Sequence, residues 1–255
     1  MNNVILSVVV PVYNEEGNIE SLYKDIVQVL DTFFAGEGNP SSRYEIIMVN
    51  DGSTDRTTQI LSTLPGIVNV RLERNYGQTA AMDCGFHLAQ GKYIAALDGD
   101  GQNDPADIPA MLEYLEKNNY DVVSGWRKNR QDKTYRKIMT LGAYCLRQLL
   151  LHDGIHDSGC TLKIYRRECF DHIHLTSGQH RLIPAVLKKH GYWIGEYPVN
   201  HKARRTGESK YQFNRVFQGF SDTVKLSFYT PGQKKDTTDT TVYTIAEVIR
   251  QRKAS

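Results

Sequence analysis

A succession of short apolar segments, each followed by a helical pattern, limits this chain to a few architectures. Val4 to Val12, Tyr44 to Val49, Ile67 to Leu72, Tyr93 to Ala96 and Tyr120 to Gly125 are strand-length runs, mostly of β-branched, aliphatic and aromatic residues. Between them, apolar residues fall at helical spacing. Leu22, Ile26, Val29 and Leu30 mark one helix, expected from about Ile19 to Leu30, small residues fill Thr79 to Ala89, and Ile108, Met111, Leu112 and Leu115 mark a third. This alternation predicts an α/β fold of three layers around a mostly parallel sheet. Such sheets bind ligands outside the carboxyl ends of their strands, where the strand order reverses.

Two of those strand ends carry carboxylates. Leu97-Asp98-Gly99-Asp100-Gly101-Gln102-Asn103-Asp104-Pro105 follows the fourth strand, with Asp104 placed to cap the next helix and Pro105 as its first residue. Asp98 and Asp100, one residue apart on a glycine-rich turn, can share a hard divalent cation, Mg²⁺ or Mn²⁺, that bridges to a diphosphate. The plainer alternative is an acidic turn with a cap. Asp51 ends the second strand in the same way, placed to hydrogen-bond a nucleobase or ribose. Ser53, Thr54 and Asp55 beyond it read as capping residues for a helix reaching Leu64. The first strand is not followed by G-x-G-x-x-G, and the chain has no G-x-x-x-x-G-K-[ST]. An NAD-type site is therefore not expected, and the chain is not a P-loop NTPase. A nucleotide here must be held by carboxylates, a metal and backbone groups.

The 255 residues suffice for one substantial core, and a net charge of +2 names no partner. Cys84, Cys145, Cys160 and Cys169 form no C-x-x-C pair and read as reduced thiols of a cytoplasmic protein. There is no leader pattern, and no run approaches the about 20 apolar residues of a membrane span. Charge is concentrated locally. Trp126 to Arg147 carries Arg127, Lys128, Arg130, Lys133, Arg136, Lys137 and Arg147 against Asp132 alone. His201 to Lys210 is a second basic cluster, leading into a helical stripe of Val216, Phe217, Phe220, Val224 and Phe228. These stretches read either as solvated faces over a core or as a surface that meets anionic lipid or a lipid-borne phosphate. Neither is interleaved with stacking aromatics, so no nucleic-acid partner is expected.

The ordered motifs VVVPVYNEEGNI (8–19), EIIMVNDGSTD (45–55), NYGQTAAMDCGF (75–86), ALDGDGQNDPADIP (96–109) and VVSGWRKNRQD (122–132) resemble family 2 glycosyltransferases of the GT-A fold. HDSGCTLKIYRRE (156–168), HRLIPA (180–185) and EYPVNHKARRTGESKY (196–211) continue the likeness, which is to the polyprenyl-phosphate glycosyltransferases in particular. The resemblance implies roles. Pro11, Tyr13, Glu15, Asp51, Gln78 and Asp98 fall in the nucleotide-sugar set, and Asp98, Asp100 and Gln102 in the metal and diphosphate set. Arg127, Arg136, Thr140, Arg204, Ser209 and Lys210 fall where the acceptor phosphate is held. Asp98, Asp100 and Asp157 make up the catalytic set, with Asp157 in the D-x-G-C stretch beside the reaction centre.

The implied reaction is a single, inverting displacement of a nucleoside diphosphate by a polyprenyl phosphate, with a divalent cation and cationic side chains stabilising the leaving group. A phosphate acceptor is already an anionic nucleophile, so Asp157 is assigned to orienting or electrostatic work. Residues 1–229 are expected to form the GT-A domain, 1–125 binding the nucleotide sugar. Residues 126–229 would form an acceptor half with amphipathic interfacial helices, peripheral to the cytoplasmic membrane face. Asn50 departs from the acid many relatives carry there. Close bacterial relatives continue into transmembrane helices, whereas residues 230–255 read as a polar tail with a short helix ending at Arg250 to Lys253; the chain is then peripheral, relies on a membrane-spanning partner, or has spans outside these 255 residues. The competing functions are transfer to a sugar hydroxyl in polysaccharide or glycolipid assembly, and a non-catalytic nucleotide-sugar-binding subunit.

Overall fold

The computed structural model describes residues 4–36, 38–128, 134–202, 214–229 and 243–251. In chain order the elements are β1 (Leu6–Val12), α1 (Ile19–Phe33), β2 (Tyr44–Asn50), α2 (Thr57–Thr63), β3 (Ile67–Leu72), α3 (Gln78–Leu88) and β4 (Tyr93–Ala96). There follow α4 (Ile108–Lys117), β5 (Val122–Trp126), α5 (Thr134–Leu151), β6 (Lys163–Arg166), α6 (Ile183–Lys189), β7 (Ile194–Pro198), α7 (Asn214–Ser227) and β8 (Ile245–Arg250). The strands form one sheet in the order β7-β5-β6-β4-β1-β2-β3-β8. β1 pairs in parallel with β2 and β4, β2 with β3, and β5 with β7, while β6 and β8 run antiparallel to their neighbours. The expected three-layer, mostly parallel sheet is present.

β1 shows why the sequence folds this way. Leu6, Val8, Val10 and Val12 face a core shared with Ile19, Leu22, Ile26 and Leu30 of α1 and Met111 and Leu115 of α4. Val9 faces the opposite core, with Phe86 of α3 and Ile183 and Val186 of α6. A strand covered on both faces needs the unbroken apolar run that β1 has. Each such side chain removed from water contributes about 2 kcal/mol. The small residues of α3 serve close approach: a Cβ at Gly85 would run into Val9 Cγ1.

Two expectations are corrected. α1 continues past Leu30 to Phe33, because the buried Phe34 just beyond stacks on Tyr44 of β2, with centroids 6.2 Å apart, and draws the chain inward. The helix expected near the carboxyl end is instead β8, antiparallel to β3. Its β-branched Ile245, Val248 and Ile249 suit a strand, which satisfies the outer backbone groups of β3. Arg71–Glu247 (3.7 Å) and Arg250–Glu45 (3.6 Å) fasten it. No helix among the described residues is long and apolar enough to cross a membrane.

Candidate active site

The strand order reverses at β1, and the loops leaving β1, β2 and β4 converge beside it. Val12 O accepts from Asp51 N at 2.9 Å and Val9 O from Leu97 N at 3.1 Å, which keeps the three strand ends level. The loop after β1 is stitched to the loop after β2. Asn14 N donates to Ser53 Oγ (3.0 Å), Thr54 N to Asn14 Oδ1 (2.8 Å) and Glu15 N to Thr57 Oγ1 (2.9 Å). Ser53 and Thr54, expected as helix caps, therefore bind the neighbouring loop. Asp55 does cap α2, accepting from Thr57 N at 2.9 Å. Asn50 is buried and holds Thr58 Oγ1 and Ser53 N, a structural use for the residue that departs from the family pattern.

Asp51 is buried, and its two oxygens accept from Tyr76 N (2.7 Å) and Gly77 N (2.9 Å). Burial pushes its carboxyl above the ordinary value, against the pull of those two donors. It thus fixes the turn that starts α3. Gly52 makes room for that turn: at φ +67° its would-be Cβ lies 2.5 Å from the Arg74 carbonyl carbon.

From the first residue of α3, Gln78 Nε2 donates to Asp98 Oδ1 at 2.7 Å, and Thr161 Oγ1 donates to Asp98 Oδ2 at 2.7 Å. Asp98 is held on both oxygens, and burial and the adjacent Asp100 raise its carboxyl above the ordinary value. Asp100, half-buried, accepts from Gln102 N at 3.1 Å. The turn runs against Pro11 and Glu15, since a Cβ on Gly99 would lie 3.1 Å from Pro11 O and 3.6 Å from Glu15 Cγ. Tyr13 is exposed at the same strand end. Asp104 caps as expected, accepting from Ala106 N at 3.1 Å. The start of the second basic cluster clasps this turn: Lys202 N donates to Gln102 O (2.9 Å), and Lys202 Nζ meets Asp104 at 3.0 Å.

Asp157 and Arg127 come together as a two-pronged pair, Nε–Oδ2 2.7 Å and Nη2–Oδ1 2.9 Å. Burial opposes the charge on Asp157, but the bonds and charge of Arg127 outweigh it and hold the carboxyl below its ordinary value. Lys163 was not anticipated. It is 2% exposed on β6, opposite Ala96 of β4, and its ammonium donates to the Cys160 carbonyl. Burial lowers its pKa, while Cys160, Asp157 and Asp98 favour the charge. A lone lysine in the apolar run Leu162 to Tyr165 was the available signal. Arg136 and Thr140 lie on α5 with side chains outside the described set, and Arg204, Ser209 and Lys210 fall outside the described residues.

The oxygen donors of Asp98 and Asp100 suit a hard cation, and the crowding that raises Asp98 is what a dication would relieve. Among the described residues one three-residue cluster could by itself hold a metal ion: Asp83 and His87 farther along α3, with His174 from the segment before α6.

A doubly wound sheet with paired acids at its switch point defines a nucleotide-sugar transferase of the GT-A type. Residues 7–174 match the model of glycosyl transferase family 2, and the chain belongs to that family. Within it the chain falls in the group of polyprenyl-phosphate sugar transferases. The dodecaprenyl-phosphate galacturonate synthase of Rhizobium johnstonii is 39% identical over 232 residues, 88% of this chain and 67% of that protein. The undecaprenyl-phosphate 4-deoxy-4-formamido-L-arabinose transferase of Aeromonas hydrophila is 34% identical over 241 residues, 91% of this chain and 71% of that one. Glucosyl-3-phosphoglycerate synthase from Mycobacterium tuberculosis, solved with Mn²⁺, UDP and glucosyl-3-phosphoglycerate, shares the fold. Its TM-score is 0.66 at 18% identity, over 90% of this chain and 82% of that one. The chain is a glycosyltransferase that uses a nucleotide-sugar donor and is related to the polyprenyl-phosphate sugar transferases.

Proposed function

We propose that this chain moves a sugar, with inversion, from a nucleoside-diphosphate sugar to a polyprenyl phosphate at the cytoplasmic membrane face. The supporting observation is the Arg127–Asp157 pair. A sugar-hydroxyl acceptor needs a base to take its proton. Asp157, with both oxygens on a guanidinium and its carboxyl held low, is poorly suited to that task. A phosphate acceptor arrives as an anion and needs only positioning. The two bonds to Asp157 leave further guanidinium N–H groups on Arg127 for a phosphate oxygen. The basic run from Lys202 to Lys210, which begins at the acidic turn, adds cations from the acceptor half.

In this reading Asp51 and the Tyr76–Gly77 turn it fixes receive the nucleoside, with Pro11, Tyr13 and Glu15 across the crevice. Asp98, Asp100 and Gln102 hold Mg²⁺ or Mn²⁺, which when bound neutralises charge on the leaving diphosphate. Gln78 and Thr161 keep Asp98 oriented. Residues 1–125 serve the donor and 126–229 the acceptor, with α5 and α7 at the lipid interface.

The test is a transfer assay with a panel of labelled nucleotide sugars and Mg²⁺ or Mn²⁺, with and without polyprenyl phosphate. The expected result is label in the lipid extract only when polyprenyl phosphate and metal are both present. Metal-dependent donor hydrolysis with no lipid product would overturn the acceptor.

A further inference from the structure

We infer that Asp83, His87 and His174 form a binding site for a transition-metal dication such as Zn²⁺, separate from the acidic turn and serving as a structural clamp. Asp83 is 1% exposed on α3. Its Oδ2 is approached by His174 Nδ1 at 3.3 Å, His87 Nδ1 at 3.6 Å and the Tyr243 hydroxyl at 3.2 Å, while Leu175 N donates to Oδ1 at 2.7 Å. The two imidazole rings lie parallel, with centroids 4.1 Å apart and 10° between planes. One ligand-capable atom from each of the three residues falls within 4.8 Å of the others.

Chemistry chooses the ion. Two imidazoles and one carboxylate favour Zn²⁺ and its neighbours, whereas Mg²⁺ prefers an all-oxygen shell. The Nδ1 atoms that converge on Asp83 Oδ2 are the lone-pair donors; His87 Nδ1, 2.8 Å from Asp83 O, would exchange that contact for the ion. The His174 side chain is 58% exposed, so ions reach the site from solvent and an exchangeable position remains.

Geometry separates this site from the donor site. Gln78, which touches Asp98, precedes Asp83 by five residues and His87 by nine, about 7 and 13 Å along α3. The ligands join α3 to the segment before α6, 91 residues away, and Tyr243 before β8 adds a third segment 160 residues away. An ion that binds only this folded arrangement stabilises it by mass action.

The test uses the EDTA-treated full chain, with Co²⁺ as a spectroscopic probe and Zn²⁺ for stability. We expect one Co²⁺ per chain with visible d–d absorption that Zn²⁺, but not millimolar Mg²⁺, displaces. Saturating Zn²⁺ should raise Tm by about 5 to 10 °C. His174→Ala, at an exposed position, should lose both signals while keeping Mg²⁺-dependent sugar transfer, and His87→Ala should lose the absorption band. No Co²⁺ band in the native chain, or a band and Tm rise that survive His174→Ala, would overturn the assignment.

Discussion

Arg127 and Asp157 meet end to end, guanidinium Nε on Oδ2 at 2.7 Å and Nη2 on Oδ1 at 2.9 Å, with side chains only 11% and 15% exposed. So enclosed a pair is costly to break from one side, because the survivor keeps its charge without a partner. Asp157→Ala should destabilise the chain by about 3 kcal/mol. Asp157→Asn, which keeps the shape, should cost less. The pH dependence follows from the lowered carboxyl. A depressed folded-state pKa contributes stability that is complete above the ordinary aspartate value, about 3.9, and is lost as pH falls through the folded value. The gap in unfolding free energy between the native chain and Asp157→Asn should hold steady from about pH 7 to 5 and narrow below about 4. Urea titrations across that range measure it. A gap that closes near pH 6 would contradict the pairing.

Thr161 meets Asp98 Oδ2 at 2.7 Å from 63 residues away, so in the proposed function it acts on the reaction through that carboxylate. A hydrogen bond to a charged group is worth about 1.5 to 3 kcal/mol. Thr161→Val should therefore lower kcat/KM for the donor about tenfold or more and Tm by about 3 to 10 °C, and Thr161→Ser should restore most of both. Asp98→Ala should abolish metal-dependent transfer. Steady-state kinetics at varied Mg²⁺ or Mn²⁺ distinguishes the two, since Thr161→Val should respond to added metal and Asp98→Ala should not.

Gly52 and Gly101 both sit at positive φ, +67° and +70°, yet they differ in surroundings. Gly101 has open space where a Cβ would go, whereas Gly52 has the Arg74 carbonyl carbon at 2.5 Å and Asn75 N at 2.6 Å. Gly101→Ala should show only the left-handed conformational cost of about 1 to 2 kcal/mol. Gly52→Ala adds a backbone collision and must push the turn off Asp51, so it should cost at least about 2 kcal/mol more. Differential scanning calorimetry compares them. Donor affinity should fall with Gly52→Ala, because the displaced turn carries Gln78.

What the sequence shows and hides divides along one physical line. Apolar period reports which face of a segment is buried, so β1, the helix stripes and the strand-end position of Asp51 and Asp98 could be read directly, as could the Asp104 cap. It does not report which distant side chain lies opposite. The Arg127–Asp157 pair, the Thr161 bond to Asp98 and the buried Lys163 are contacts made by the antiparallel return of β6 between β4 and β5, and nothing local encodes that return. Ser53 and Thr54 have the chemistry of caps, but the neighbouring loop competes for their oxygens. Residues 245–250 illustrate the remaining ambiguity, since six residues with three β-branched apolar side chains satisfy a helical turn or a short strand equally well.

The pairing of β8 with β3 is tested by breaking its ladder. Val248 and Ile249 stand opposite Val70 and Asn69 of β3. Successive N–H groups of a strand point to opposite edges, so of two adjacent residues one must direct its N–H toward β3. Val248→Pro together with Ile249→Pro therefore removes a ladder donor whichever way the register faces, and leaves Tyr243 in place. The carbonyl of β3 that loses its partner opens to water, and loss of pairing along the rest of β8 exposes the β3 amides that it covers. Hydrogen exchange of residues 67–72 should then accelerate at least about tenfold, while the amides of β1, shielded between β2 and β4, should keep their protection. Unchanged exchange in β3 would show that residues 245–250 do not pair there and would restore a separate tail. A uniform acceleration across all strands would instead mean that the double variant lowers global stability, and the comparison would then be repeated in the presence of bound donor, where only local opening of β3 distinguishes itself from global unfolding.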